Sequence, residues 1–176
     1  MDLKIRKEEE NDYPFVFDLI EKAFHEEAMS DHQEQYLVDR LRQSASFREE
    51  LSIVAEKEGK IVGYVLLTEI NIINSQNQSF ISLALAPIAV LPAYQGQGIA
   101  GALMHAAHEK AKELGYGSIV ILGHADYYPR FGYRLAKEFG IRLPFDVPDE
   151  NCFVIELSEG TLKHINGTVV YPAEFG

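Results

Sequence analysis

Gln95-Gly96-Gln97-Gly98-Ile99-Ala100-Gly101 decides how this chain is read. A glycine-dense turn that opens an amphipathic helix leaves backbone N–H groups bare, and a diphosphate can approach them closely. The helix is legible from its apolar spacing. Ile99, Leu103, Ala107, Ala111 and Leu114 recur at three- and four-residue steps among Glu109, Lys110, Lys112 and Glu113, and Gly115 stops it. Upstream, residues 81–90 form an apolar, strand-like run that ends at Pro92. The order is therefore strand, turn, glycine loop, helix, with the loop an anion site made of backbone.

Gly96, Gly98 and Gly101 also fit the dinucleotide pattern G-x-G-x-x-G, which would make the chain a nicotinamide- or flavin-dependent oxidoreductase. The context argues against it. That motif closes the first strand of its domain and needs an acidic residue about 20 positions on to hold the ribose. Here the next apolar run, residues 119–122, ends in Gly123-His124 with no acid at its tip. About half the chain precedes the loop, and too little follows it to complete a doubly wound sheet.

On the N-terminal side, residues 3–6 read as a first strand. Asn11 or Asp12 is placed to cap a helix carrying Phe15, Phe17, Leu19, Ile20 and Phe24, and Asp31 to cap another carrying Tyr36, Leu37 and Leu41. Between them, His25-Glu26-Glu27-Ala28-Met29-Ser30 is an acidic connection placed to rim a site. Residues 51–55 and 61–67 are strands joined by the turn Glu58-Gly59-Lys60, hence a hairpin, and Asn74-Ser75-Gln76-Asn77-Gln78 is a polar turn into the strand before the loop. After the glycine-loop helix come a strand at residues 119–122, a short helix around residues 127–131, and strands near residues 133–135 and 153–157. This order predicts an α/β (α+β) fold in one domain over residues 1–176: a mixed, mostly antiparallel central sheet with helices on both faces. Pro87 donates no ladder hydrogen bond, so pairing is broken around it, by an edge, a bulge or a gap between strands.

The loop fits a second pattern, Q/R-x-x-G-x-G/A, through Gln95, Gly98 and Ala100. On it the chain resembles the GCN5-related N-acetyltransferase (GNAT) family. Ile88-Ala89-Val90-Leu91-Pro92-Ala93-Tyr94-Gln95 is similar to the family's strand-to-loop approach, and Tyr128-Pro129-Arg130-Phe131-Gly132-Tyr133 to its late Y-x-x-x-G-F/Y element. The longer phrase from Leu122 to Tyr133 is similar to a bacterial subgroup of predicted N-acetyltransferases. The resemblance implies acetyl-CoA as acetyl-donor cosubstrate. It implies a splay between the fourth and fifth strands, with pantetheine against the backbone of Ile88, Ala89 and Val90. The diphosphate would then lie on Gln95, Gly96, Gln97, Gly98, Ile99, Ala100 and Gly101.

Direct transfer to an amine in a ternary complex needs a neutral amine, a polarised thioester carbonyl and a proton for the departing thiolate. The resemblance makes Tyr128 the catalytic acid and a backbone N–H near Val90 the polarising donor. It also marks three departures. Leu83-Ala84-Leu85-Ala86-Pro87 carries no glutamate to act as base, which leaves Glu69, Glu26, Glu27 and His124 acting through water. Ile121 stands where many relatives have asparagine. Gln97 stands where a basic residue is frequent, so diphosphate binding leans on the backbone and helix dipole, with Arg130 a long-range contributor. A catalytically silent acyl-CoA sensor on the same fold is the alternative function.

With 176 residues, 47% of them hydrophobic, the chain can bury a sizeable core. The formal charge of −11 disfavours nucleic acid and anionic membrane as partners and suits either a cationic acceptor or a well-solvated surface. No apolar run approaches a membrane span and the first residues are unlike a signal peptide, so a cytoplasmic protein is expected, monomer or homodimer, acting on a small-molecule or peptide amine. The lone Cys152 reads as a core residue. His105 and His108, three apart on the glycine-loop helix, lack the acid or cysteine that would complete a ligand set, so no metal is expected.

Overall fold

Two tight turns build the centre of the sheet. In the computed structural model, which describes residues 2–28 and 30–176, Met1 and the Met29 of the acidic connection lie outside the described residues. Strand β1 (Leu3–Lys7) lies antiparallel beside β2 (Ser52–Lys57), which turns at Glu58 and Gly59 into the long β3 (Lys60–Ile73). A polar turn then leads into β4 (Ser79–Val90). Asn74 closes that turn, its side-chain oxygen accepting from the N–H groups of Gln76 and Gln78 at 3.0 and 2.9 Å.

β4 continues the sheet in parallel with β5 (Ser118–Leu122), and beyond it come β6 (Arg134–Leu135) and β8 (Cys152–Glu156) in the order β5-β8-β6. Two strands had no sequence signal. β7 (Ile141–Arg142) pairs with β9 (Gly167–Val170), and β9 returns to the distal half of β3. Among the described residues only β4–β5 and β7–β9 are parallel pairs, whereas a doubly wound dinucleotide sheet is largely parallel, and that reading falls here.

Helices cover both faces. Successive strand residues point to opposite sides, and Ile99 and Leu103 of α3 (Ile99–Glu113) lie over Gly63 of β3. Tyr64 faces the other way, toward α1 (Tyr13–Phe24) and Arg42 at the end of α2 (Glu34–Leu41). No helix of the described residues is long and apolar enough to cross a membrane.

The N-terminal helices correct four expectations. α1 buries Val16, Leu19 and Ile20, while Phe15 is 62% exposed; Tyr36 on α2 is 46% exposed and Val38 takes its place inside. With four apolar residues in five at the start of α1, two overlapping stripes fit the period, and contact with the sheet selects between them. Asp12 stands at the N-cap of α1, but its side chain makes no cap bond to that helix. Its carboxylate accepts from Glu9 N–H and from Arg6, closing the turn before α1. Asp31 likewise accepts from Gln33 N–H ahead of α2.

Pro87 sits at a bulge: Val65 faces Ile88 while Leu67 faces Leu85, and the Ala86–Pro87 peptide is cis. The predicted splay is present too. β4 and β5 pair only through Leu83↔Ile119 and Ala84↔Val120, and then part.

Candidate active site

In an antiparallel ladder each residue turns its N–H and C=O to one side only. Leu91 N–H donates to Val62 at 2.9 Å. In that register Ala89, opposite Tyr64, also bonds across to β3, and Ile88 and Val90 turn their groups the other way. On that side β5 has left, following β8 through Ile121↔Phe153 and Leu122↔Cys152. The cleft is therefore lined by backbone of Ile88 and Val90, with Ala89 between them bonded to its other neighbour. Gln95 Nε2 takes the Val90 carbonyl at 3.2 Å, tying the loop to the strand end and leaving the Val90 N–H to the cleft. Ile121 is buried in the core and offers no side chain there.

At the mouth of the cleft Gly96 and Gly98 have φ of +78° and +82°, a conformation that explains glycine at both positions. Gly98 precedes α3, and the space where its side chain would begin is open. The helix ladder starts with Ala102 N–H to Gly98 C=O at 3.1 Å, so the N–H groups before it have no intrahelical partner and lie at the positive end of the dipole. Arg130 bonds within its own turn. Its guanidinium lies 4.7 Å from the Tyr127 ring centroid and donates to the Tyr127 carbonyl. Lys57 reaches the loop, its Nζ donating to Gln97 Oε1 at 2.9 Å, and Lys60 lies 5.7 Å from the Tyr94 ring centroid. Sequence reasoning missed Lys57 because only the β2–β3 hairpin brings it there.

Tyr128 opens the short turn Tyr128–Phe131. Its ring rests on the Cα of Gly123, just past β5, and against Tyr133 and Phe153 at centroid distances of 6.0 and 6.1 Å. Burial, and then Tyr127, push its hydroxyl up to about 12, so it is protonated at neutral pH. The same turn reaches α3, with Phe131 Cε1 3.7 Å from where a Gly101 side chain would start. Tyr133 extends the contact, its hydroxyl 2.8 Å from the Nε2 of buried His108. His108 is thus a packed histidine and His105 an exposed one. Cys152 is buried, its thiol raised by desolvation.

Of the possible bases, Glu69 is held by Arg48 at 3.1 Å and by the Tyr116 hydroxyl. Glu27 and His124 meet, Oε1 to Nε2 at 3.7 Å, although they are 97 positions apart in the chain (124 − 27). Glu21, His25, Glu26 and Glu27 line one wall of a groove of about 980 Å³, and Leu91 to Gln95 line the other. A smaller cleft of about 310 Å³ over α1 and the β2–β3 turn does not reach the glycine loop.

The mixed sheet parts between two parallel strands beside a glycine loop whose helix N–H groups are free, and this is the arrangement of an acyltransferase family. The chain belongs to the acetyltransferase (GNAT) family, whose model matches residues 13–140. It is 35% identical to the uncharacterized N-acetyltransferase YjhQ of Escherichia coli K12 over 127 residues, 70% of each chain. It is 30% identical to the uncharacterized N-acetyltransferase YhbS of the same organism over 172 residues, 97% of each. The crystal structure of Escherichia coli YhbS in complex with CoA superposes with a TM-score of 0.87 at 29% identity, covering 98% of this chain and 91% of that one. A GNAT acetyltransferase from Brucella melitensis in complex with acetyl-CoA gives 0.81 at 28% identity over 99% of both.

Proposed function

We propose that the protein transfers the acetyl group of acetyl-CoA directly to a primary amine, on a small molecule or a peptide, within a ternary complex. The observation that carries this is the parting of β4 and β5 next to the left-handed glycine loop: one cleft offers unpaired strand backbone and helix N–H groups in line. The CoA and acetyl-CoA complexes of the two structural relatives support the same donor. In this reading pantetheine bonds Ile88 and Val90, and the diphosphate lies on residues 95–101 with Lys57 supplying the positive charge that Gln97 lacks.

The amine nitrogen attacks the thioester carbonyl carbon, and the Val90 N–H receives the oxygen as it becomes anionic. The C–S bond then breaks, and the Tyr128 hydroxyl donates a hydrogen bond to the departing sulfur. Burial keeps the Tyr128 phenol above the ordinary tyrosine value, so in this reading the hydroxyl donates to the sulfur as the thiolate forms. Tyr128 therefore stabilises the thiolate by donation. The proton that makes the thiol comes from the nitrogen, which sheds it on becoming an amide, and the sum is amine plus thioester to amide plus thiol. With no carboxylate on β4, the Glu27–His124 pair at the groove is the proposed water-linked acceptor for the ammonium proton that precedes attack.

Thiol release measured across a panel of amines tests the reaction, with calorimetry reporting acetyl-CoA binding. Tyr128→Phe should bind acetyl-CoA almost normally and lose about 10²-fold in kcat, while Tyr127→Phe stays near wild type. Binding with no turnover on any amine would make the protein an acyl-CoA sensor. Equal losses in the two variants would remove Tyr128 from the chemistry.

A further inference from the structure

We infer that Asn151 is a positioning residue for Tyr128, acting through Gly123. The inference rests on the role given to Tyr128 above. Gly123 is gripped on both sides of its backbone by one residue: its N–H donates to the Asn151 carbonyl at 2.9 Å, and its carbonyl accepts from Asn151 Nδ2 at 3.0 Å. The Tyr128 ring lies directly on the gripped Cα. A Cβ added to Gly123 would fall 2.2 Å from Tyr128 Cε2 and 3.1 Å from its Cδ2 and Cζ. Any side chain there displaces the ring. The φ of Gly123 is not in the left-handed region, so close approach of the ring is the reason for glycine.

The other side of the ring belongs to the same scaffold. Phe153, two residues after Asn151, packs on Tyr128, and Cys152 and Phe153 hold Leu122 and Ile121 of β5 in register. No hydrogen bond holds the Tyr128 hydroxyl among the described residues, so ring packing alone sets where it points. Among the described residues, the Asn151 amide is the one side-chain tether on the platform under that ring, just past the end of β5. A loss of a few tenths of an ångström in that platform moves the hydroxyl relative to the thioester sulfur, and positioning errors of this kind lower kcat without touching donor affinity.

Steady-state kinetics of Asn151→Ala in two backgrounds test this. Asn151→Ala should lower kcat about 5- to 10-fold, the value of one side-chain hydrogen bond, with acetyl-CoA affinity unchanged. In the Tyr128→Phe background, where there is no hydroxyl to misplace, the same change should cost nothing further. Gly123→Ala should behave alike, since its methyl pushes the ring. The ¹³Cζ resonance of Tyr128, assigned by its disappearance in Tyr128→Phe, gives a readout independent of turnover: in Asn151→Ala its chemical shift at neutral pH should move as the ring leaves its packed position. Equal losses in both backgrounds, unchanged kcat, or an unmoved resonance would overturn the inference. If Tyr128→Phe kept full kcat while the resonance still moved, the role of Tyr128 would fail and the platform would stand.

Discussion

Gly98 lies at φ +82° with open space beyond its Cα, so a side chain there would do two things at once. Gly98→Val closes the phosphate site and adds about 1–2 kcal/mol of backbone strain, which confounds a binding measurement with a folding one. Lys57 separates them, because its ammonium is exposed and its removal leaves the loop intact. Lys57→Met should weaken acetyl-CoA about 5-fold by calorimetry, the scale of one exposed charge contact, and the loss should shrink as salt rises. Acetyl-pantetheine, which has no diphosphate, should bind wild type and variant alike. Equal weakening of both ligands would place Lys57 outside the diphosphate site. The glycines of this loop were legible in the sequence because left-handed backbone singles out glycine; Lys57 was not, since it stands 40 positions from Gln97 and no local pattern joins them.

At the scale of elements, α3 was readable because its buried face, Leu103, Met104, Ala107 and Ala111, follows the helical period. The helix also buries His108, which bonds Tyr133 and is pulled down to about 4 by desolvation, then by His105 and Lys112, with Glu109 opposing. The ordinary histidine value is near 6.5, so between about 6.5 and 4 the unfolded chain binds the proton and the folded chain does not. Stability contributed by neutral His108 is complete above that window and lost as the pH falls through it. Denaturant midpoints of wild type and His108→Gln, compared at pH 7 and pH 4.5, should converge toward the lower pH. A constant difference would mean that His108 does not titrate with folding. Strands β7 and β9 escaped the sequence because two and four residues carry too little alternation, and their pairing partners lie elsewhere in the chain.

Across the whole molecule, one buried polar network joins both ends of the N-terminal half. Arg42 Nη2 lies 2.6 Å from Glu8 Oε2, Ser52 donates to Glu8 Oε1 at 2.7 Å, and Tyr64 donates to Ser52 at 2.6 Å. The Arg42 guanidinium also stacks over Tyr13 at 3.9 Å. The network thereby ties the end of β1, the strands β2 and β3, α1 and the end of α2 into one body. Arg42→Met would strand the Glu8 carboxylate in the interior and should cost roughly 3–5 kcal/mol by chemical denaturation, much of it recovered when Glu8→Gln is added. A single-variant loss below about 1 kcal/mol would put the pair on the footing of a surface ion pair.

The sequence by itself determined the order of strands and helices around the glycine loop, the helices on both faces and the break at Pro87. Each of these rests on a local rule: a side-chain period, a proline without a donor, a backbone that only glycine adopts easily. It also carried the family, because Gln95, Gly98, Ala100 and the Tyr128 turn are short contiguous phrases. Tertiary structure alone decided which stripe of α1 faces the sheet, that Arg130 bonds within its own turn while Lys57 reaches Gln97, that Glu27 meets His124, and that Asn151 grips Gly123 beneath Tyr128. Apart from the Arg130 turn, those are contacts between residues tens of positions apart, and their partners are chosen by strand register and by the packing of one element on another. No spacing along the chain encodes them.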